Sequence, residues 1–485
     1  MSLLEIIILI PLLAAALIGA GLPAKLISRG ASVLNLVVLL VTLSQHAAGV
    51  NLSHSIPILD NPAINFAVGA DGFSLTLALL TCLVLLAAVW QIIDKPAIYH
   101  VASLLIAGGA LGAFLSTDLF FIYGFHELAL IPTLLMIAVH GHGDATNRRA
   151  IAWKITVYLG AGSLVLLAGL AALVLNYSGS NGLTFDLNAL LETAKSAPLA
   201  ADAQAWIFFV LLVGFGTLVS LFPFHSWAAP AYAAAPTPVA MLHSGVLKKF
   251  GLYGLIKIAL PLLPLGAKAE WVQQALLLML VGNIIVIGLV TIHQSSLDTM
   301  LGNSSVMHMG YIFLGIAAGN TVALNGAVLL IFAHGISIAL AFALCGKMRN
   351  QLGTLEFSKL GGLAGNAPFL TVMFGFATFS SIGLPGLANF AGEVMVFVGA
   401  FHQSLNTGLK PIHWATILAL WGVVMSAVYM LRAYRSLFFG KAAEGHFISD
   451  PLGSQRIPLL LLTAVLLVVG CRPSLITDLL NFTAK

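Results

Sequence analysis

Charge is what this 485-residue sequence has least of. Charged residues make up 8% of it and apolar residues 60%, where a soluble domain carries roughly 25% charged residues. With a mean hydropathy of +1.03, no room is left for a large water-soluble domain. The formal net charge is only +4 and no basic patch gathers, which argues against nucleic acid as a partner. Cysteine is scarce too. Cys82, Cys345 and Cys471 stand in separate apolar segments without a CxxC pair, so they read as small buried hydrophobes and not as a metal or redox site. No P-loop or dinucleotide fingerprint is present, and the glycines lie in apolar segments, where they permit close helix packing. No basic region precedes the first apolar run, MSLLEIIILIPLLAAALIGAG, which carries Glu5 instead. That run is expected to be a retained first transmembrane helix and not a cleaved leader. No linker or low-complexity stretch marks off a second domain.

What is there is a succession of apolar runs of about twenty residues, the length that crosses the hydrocarbon core. They fall at 3–21, 31–48, 73–93, 99–115, 118–139, 151–176, 204–223, 236–263, 272–293, 297–318, 322–346, 366–403, 411–437 and 457–476. In lipid each span has to satisfy its own backbone, so the expected fold is an all-α polytopic membrane protein of about 14 transmembrane helices. A single membrane domain, 1–485, is expected to divide into N-terminal helices (1–95), a first repeat (99–263), a second repeat (272–437) and a last helix (457–476). The run 366–403 is too long for one span and is interrupted by Gly383-Leu384-Pro385-Gly386; the run ending at Pro223 leaves through Pro223-Phe224-His225-Ser226-Trp227-Ala228-Ala229-Pro230. Such paired interruptions point to two inverted-topology repeats with helices broken near mid-membrane. With both termini outside, the inner loops hold thirteen Lys and Arg and the outer segments five, which fits the positive-inside rule.

Against this apolar background a few ionisable residues stand out. Glu127 lies within DLFFIYGFHELALIPTLLMIAV, Lys248 and Lys249 within MLHSGVLKKFGLYGLI, and Glu393 within NFAGEVMVFVGAF. Each such group at mid-membrane depth costs a few kcal/mol or more, so a chain that keeps several is expected to move charge. His308 and His334 are expected at mid-span, His225 just after the first interruption, and His243 shortly before the lysines. Histidine can accept and donate a proton near neutral pH. Tyr253, one turn beyond Lys249, shares its helix face and is expected to hydrogen-bond to it. Lys257 is read as structural, His126 is left unassigned, and His140 and His142 are read as a solvated loop. Glu127 and Glu393 have structural alternatives, as a paired carboxylate and a helix cap respectively. No cluster of carboxylates suited to Na⁺ is evident, so H⁺ is the expected ion.

Five stretches carry a resemblance: FHELALIPTLLMI, FPFHSWAAPAYAAAPTPVAMLHSGVLKKFGLYGL, SSVMHMGYIFLGIA, AHGISIALAFALCG and LPGLANFAGEVMVFVGAF. Together they resemble the antiporter-like membrane subunits of proton-pumping NADH:quinone oxidoreductase, respiratory complex I, most closely its M type, over residues 100–440. The resemblance implies proton-transfer roles for Glu127, Lys249, His308, His334 and Glu393. It also implies a location in the bacterial inner membrane, a translocase activity shared with the whole complex, and neighbouring antiporter-like membrane subunits as partners. No cofactor is expected on this chain; NADH, FMN, iron–sulfur clusters and quinone are expected in partner subunits. The sequence departs from the family pattern in three places. Leu218 stands where the family has a lysine in the seventh span, Pro230-Ala231-Tyr232 lacks the usual acid, and Leu297-Asp298-Thr299 reverses a charge. Lys248 and Lys249 are therefore expected to replace the missing lysine, one of them biasing Glu127. The alternatives are a multi-subunit cation/proton antiporter, a membrane-bound hydrogenase, an inorganic-carbon uptake complex, a stand-alone secondary carrier, and a structural scaffold.

Overall fold

A computed structural model describes residues 2–178, 182–402, 408–441 and 447–480. The helices α1 (Leu3–Gly19) and α2 (Ala24–Ala47) lead to a hairpin, β1 (His54–Asp60) and β2 (Ala63–Val68), then to α3 (Gly72–Gln91), α4 (Ala97–Leu115), α5 (Leu119–His140) and α6 (Ala145–Tyr177). After α7 (Leu187–Ser196) come α8 (Ala201–Val219), α9 (Ala228–Ala234), α10 (Thr237–Gly245), α11 (Phe250–Gly254), α12 (Leu260–Leu262) and α13 (Pro264–Ala267). The second half holds α14 (Glu270–Val281), α15 (Ile287–Ile292), α16 (Leu297–Ala318), α17 (Thr321–Leu352), α18 (Pro368–Ile382), α19 (Ala388–Phe401), α20 (Pro411–Phe438), α21 (Ile457–Cys471) and α22 (Ser474–Thr477). Ten helical segments among the described residues are long and apolar enough to cross a membrane, and three shorter apolar helices accompany them. These ten are fewer than the fourteen apolar runs because two runs are divided, α1 is only 17 residues long, and α16 is not among the ten. The run 366–403 becomes α18 and α19, separated at Gly383, whose φ of +79° is the left-handed conformation that suits glycine. The run 236–263 becomes α10, a 3₁₀ turn at Leu247–Lys249, α11 and a π stretch at Leu255–Ala259.

The antiparallel hairpin, unforeseen in an all-helical reading, occupies one face of the bundle. Its β1 strand is exposed along its whole length, so no alternation of burial marks it. Asp118 ties it to α5 by accepting from Asn65 N at 3.0 Å, and Glu5 of α1 meets His54 Nδ1 at 2.6 Å. The far end of the described chain returns to this face, with the Leu479 carbonyl packed on Gly72. Lys257 pairs with Asp71 here, consistent with its structural reading. On the opposite face Arg349 pairs with Asp298 and donates to Ala233 O at 2.9 Å. The reversed charge at Asp298 is thus matched within the chain.

The core centres on α17, buried along its apolar length and packed against α3, α10, α16, α18, α19 and α21. Small residues set the close approaches. A Cβ at Gly335 of α17 would lie 2.7 Å from the Gly245 carbonyl of α10, and one at Gly251 would lie 2.3 Å from the Phe215 carbonyl of α8. Both obstacles are backbone, which cannot turn aside. Gly251→Ala is therefore expected to destabilise the protein by about 1–3 kcal/mol, read as a lower unfolding temperature of the purified complex; an unchanged temperature would show that α8 and α11 can separate freely.

Candidate functional site

The division of the eighth apolar run places the lysines. Helix α10 ends at Val246 (φ −119°, ψ −65°), and the next turn tightens to 3₁₀, Lys249 N donating to Val246 O at 2.9 Å. A 3₁₀ turn inside a helix often marks a functional hinge. Because Gly245 and Gly335 let α10 lie against α17, the Lys249 side chain reaches His334. Its Nζ is 2.8 Å from His334 Nδ1 and 3.7 Å from Met309 Sδ. Both Lys249 and His334 are buried. Lys248, equally buried, turns to α16 and α9 instead, donating to Ser305 Oγ at 3.3 Å with its Nζ 5.7 Å from the Tyr232 ring centroid.

From His334 the row continues into the second half. The His308 and His334 rings have centroids 5.5 Å apart. His308 Nδ1 is 2.8 Å from Ser304 O and its Nε2 is 2.8 Å from Ser381 O at the end of α18. Carbonyls only accept, so both contacts are satisfied together only when the ring carries both N–H groups. Ser304 Oγ also meets Tyr429 Oη of α20 at 2.9 Å. Tyr429 and Tyr311 lie within electrostatic reach of Glu393 on α19. The Glu393 carboxylate rests in the break itself, its Oε2 only 2.3 Å from where a Cβ on Gly383 would stand. Lys248, Lys249, His334, His308 and Glu393 are thereby gathered around α16 and α17.

Glu127 and His225 are not. Glu127 is about a third exposed, accepts from Ser163 Oγ of α6 at 2.6 Å, and is 3.4 Å from His126 Nδ1. No hydrogen bond or ion pair joins it to either lysine among the described residues. Leu218, in the lysine's place, is buried against Gly162. The expected bias of Glu127 by Lys248 or Lys249 has no direct contact behind it: α5 turns the carboxylate toward α6, while the lysines face α16, α17 and α9. His126 stands between them, its ring stacked on Phe250 at 4.0 Å. Neighbouring positions on a helix are about 100° apart, which was no bar to contact with Glu127. His225 stacks on Phe222 at 5.4 Å, off the row. His243, between Trp227 and Tyr232, packs near Lys248.

Two further expectations change. Tyr253 does not bond to Lys249; its hydroxyl donates to Phe114 O at 3.0 Å and lies 3.3 Å from Ser74 Oγ. Lys249 reaches across to His334 of α17, while Tyr253 of α11 is held by α4 through Phe114. Tyr253→Phe should accordingly lower stability by about 1–3 kcal/mol through the orphaned carbonyl, while proton translocation stays near the wild-type level. A coupled loss of translocation would place the hydroxyl on the conducting path. His142 does not sit in a solvated loop. It is partly buried, and its amide donates to Ala234 O at 2.7 Å. Burial, with the Arg349 cation, holds its imidazole down to about 4. It lines a cavity of about 80 Å³ between Lys95, Tyr99, Thr237 and Lys347, at the ends of α10 and α17. The serines of NSSVMHMGY, one turn before His308, were a legible signal for this network; Tyr429 and Tyr232 had none.

Buried titratable side chains strung between interrupted helices define an antiporter-like, ion-conducting membrane subunit. The comparisons agree: residues 116–419 match the family described as NADH:quinone oxidoreductase/Mrp antiporter, transmembrane, and the chain belongs to that family. It is 33% identical to NADH-quinone oxidoreductase subunit M of Pseudomonas aeruginosa, over 87% of this chain and 82% of that one. The Escherichia coli subunit M is 31% identical over the same shares, 87% and 82%. Among solved structures, a chain of respiratory complex I from Thermus thermophilus matches with a TM-score of 0.88 and 28% identity, covering 98% of each chain. A chain of the Mrp complex from Dietzia matches with a TM-score of 0.85 at 19% identity, covering 98% of this chain and 95% of that one, which is a likeness of fold.

Proposed function

We propose that this chain is the M-type proton-translocating membrane subunit of an NADH:quinone oxidoreductase. The observation that carries the proposal is the 2.8 Å contact of Lys249 Nζ with His334 Nδ1, inside a buried row that runs on through His308 toward Glu393. A proton can sit on either partner of that contact. With Lys249 as ammonium, His334 Nδ1 accepts; with Lys249 as amine, Nδ1–H donates. Transfer breaks one N–H bond and makes another over a single hydrogen bond. His308 is poised to hold a proton between two carbonyls, and the Ser304 and Tyr429 hydroxyls extend the path toward Glu393. The cavity beside His142 supports a water-accessible mouth on the face opposite the hairpin.

Electron transfer belongs to partner subunits, which carry the NADH, FMN, iron–sulfur and quinone chemistry. Their changes reach this chain through neighbouring antiporter-like membrane subunits. The chain resides in the bacterial inner membrane with both ends, and the hairpin, on the outer side. The experiment is NADH-driven proton uptake by proteoliposomes holding the whole complex. Lys248→Met is expected to reduce the protons moved per NADH by less than Lys249→Met does, because Lys248 stands beside the row and not in it. Equal translocation in both variants and wild type would end the proposal.

A further inference from the structure

The proton row uses nothing from α2, whose side chains are largely uncovered. Yet this helix opens with two cations one turn apart on one face, Lys25 and Arg29. The Arg29 guanidinium lies 4.9 Å from the Trp90 ring centroid at the end of α3. Its Nε is buried without a hydrogen-bond partner, and neither cation enters an ion pair among the described residues. From this pair a groove of about 800 Å³ runs along Leu26, Gly30, Val33, Leu34 and Val37. These positions recur at three- and four-residue intervals, a single stripe of the helix. Gly30 opens the groove just beneath the guanidinium, since a Cβ there would meet nothing within 4 Å. No carboxylate lines it.

Charge and depth name the occupant. Two unpaired cations call for an anion, and cationic recesses between membrane helices suit anionic headgroups. From Lys25 to Val37 the helix rises about 18 Å, a little over half of the roughly 30 Å hydrocarbon core. A stripe of that depth fits an acyl chain in one leaflet, whereas a spanning partner helix would need the full thickness. Trp90 lies level with the cations, where an indole favours the membrane interface. We propose that this groove binds an anionic phospholipid, its phosphate held by Lys25 and Arg29 and one acyl chain laid along Leu26, Gly30, Val33 and Val37.

The test is native mass spectrometry of the intact complex, delipidated by detergent exchange and titrated with phosphatidylglycerol or phosphatidylcholine. The wild-type complex is expected to take up one phosphatidylglycerol at this site in preference to phosphatidylcholine. K25Q/R29Q should weaken phosphatidylglycerol binding roughly tenfold or more and leave phosphatidylcholine unaffected. Gly30→Leu keeps both charges and fills the groove, and is expected to weaken phosphatidylglycerol as well; at an exposed helical site it should not impair folding. The proposal is overturned if K25Q/R29Q binds phosphatidylglycerol as the wild type does, if both lipids weaken alike in that variant, or if Gly30→Leu binds as the wild type does. It is also overturned if cysteine at Leu34 cross-links to a neighbouring subunit, which would show protein in the groove.

Discussion

Lys249→Met should cut proton translocation through this chain by about tenfold or more, the effect of deleting a group that carries the proton itself. The amine is fully buried, and its nearest polar partner is His334 Nδ1 at 2.8 Å. Methionine fills much the same volume without strain but neither takes up nor gives a proton. His334 then loses its donor and acceptor at once. Lys248 cannot stand in, because its Nζ is held at Ser305 and over Tyr232. The readout is the ratio of protons moved to NADH oxidised, with assembly of the complex checked separately. Glu127→Gln provides the contrast: lying off the row, it should lower the ratio by less. A Lys249→Met complex that pumps with the full ratio would remove the centre of the proposed path.

These two residues also show what a single sequence can and cannot reveal about such a site. Lys249, His308, His334 and Glu393 were legible because an ionisable group inside an apolar run is conspicuous whatever surrounds it. Run length and hydropathy gave their depth. Direction round the helix is a different quantity, set by which neighbours pack where and by local changes of helical pitch. The 3₁₀ turn at Leu247–Lys249 changes the phase between α10 and the lysines, and beyond it Lys249 reaches His334 while Tyr253 reaches Phe114. No residue there announces it; Gly245 and Gly251 read equally well as packing glycines. Glu127 illustrates the same limit, since its depth was plain and its turn toward Ser163 was not. The hairpin escaped because its outer strand faces solvent throughout, so the alternation that betrays a half-buried strand is missing. The interruption at Gly383, by contrast, was written in the chain as Gly-Leu-Pro-Gly.

That interruption sets up the second large effect. Glu393→Gln should reduce translocation about as severely as Lys249→Met, again by tenfold or so, because it replaces the terminal acid of the row with an amide of equal shape that cannot carry a proton. Volume, burial and the contact with Gly383 are preserved, so assembly and stability should hold. A second substitution reaches the same carboxylate from the opposite wall. Gly383→Ala puts a Cβ 2.3 Å from Glu393 Oε2 at a φ of +79°, adding about 1–2 kcal/mol of backbone strain and pushing the carboxylate out of the break. Glu393 is the sixth residue of α19 and caps nothing there; if it only fills the break beside Gly383, Glu393→Gln keeps that packing and pumps normally, while Gly383→Ala lowers stability alone. If it carries protons, both variants lose translocation, and Glu393→Asp, shorter but still acidic, regains part of it. The two outcomes differ in the proton-to-NADH ratio and not in thermal stability, so a structural role cannot imitate a conducting one.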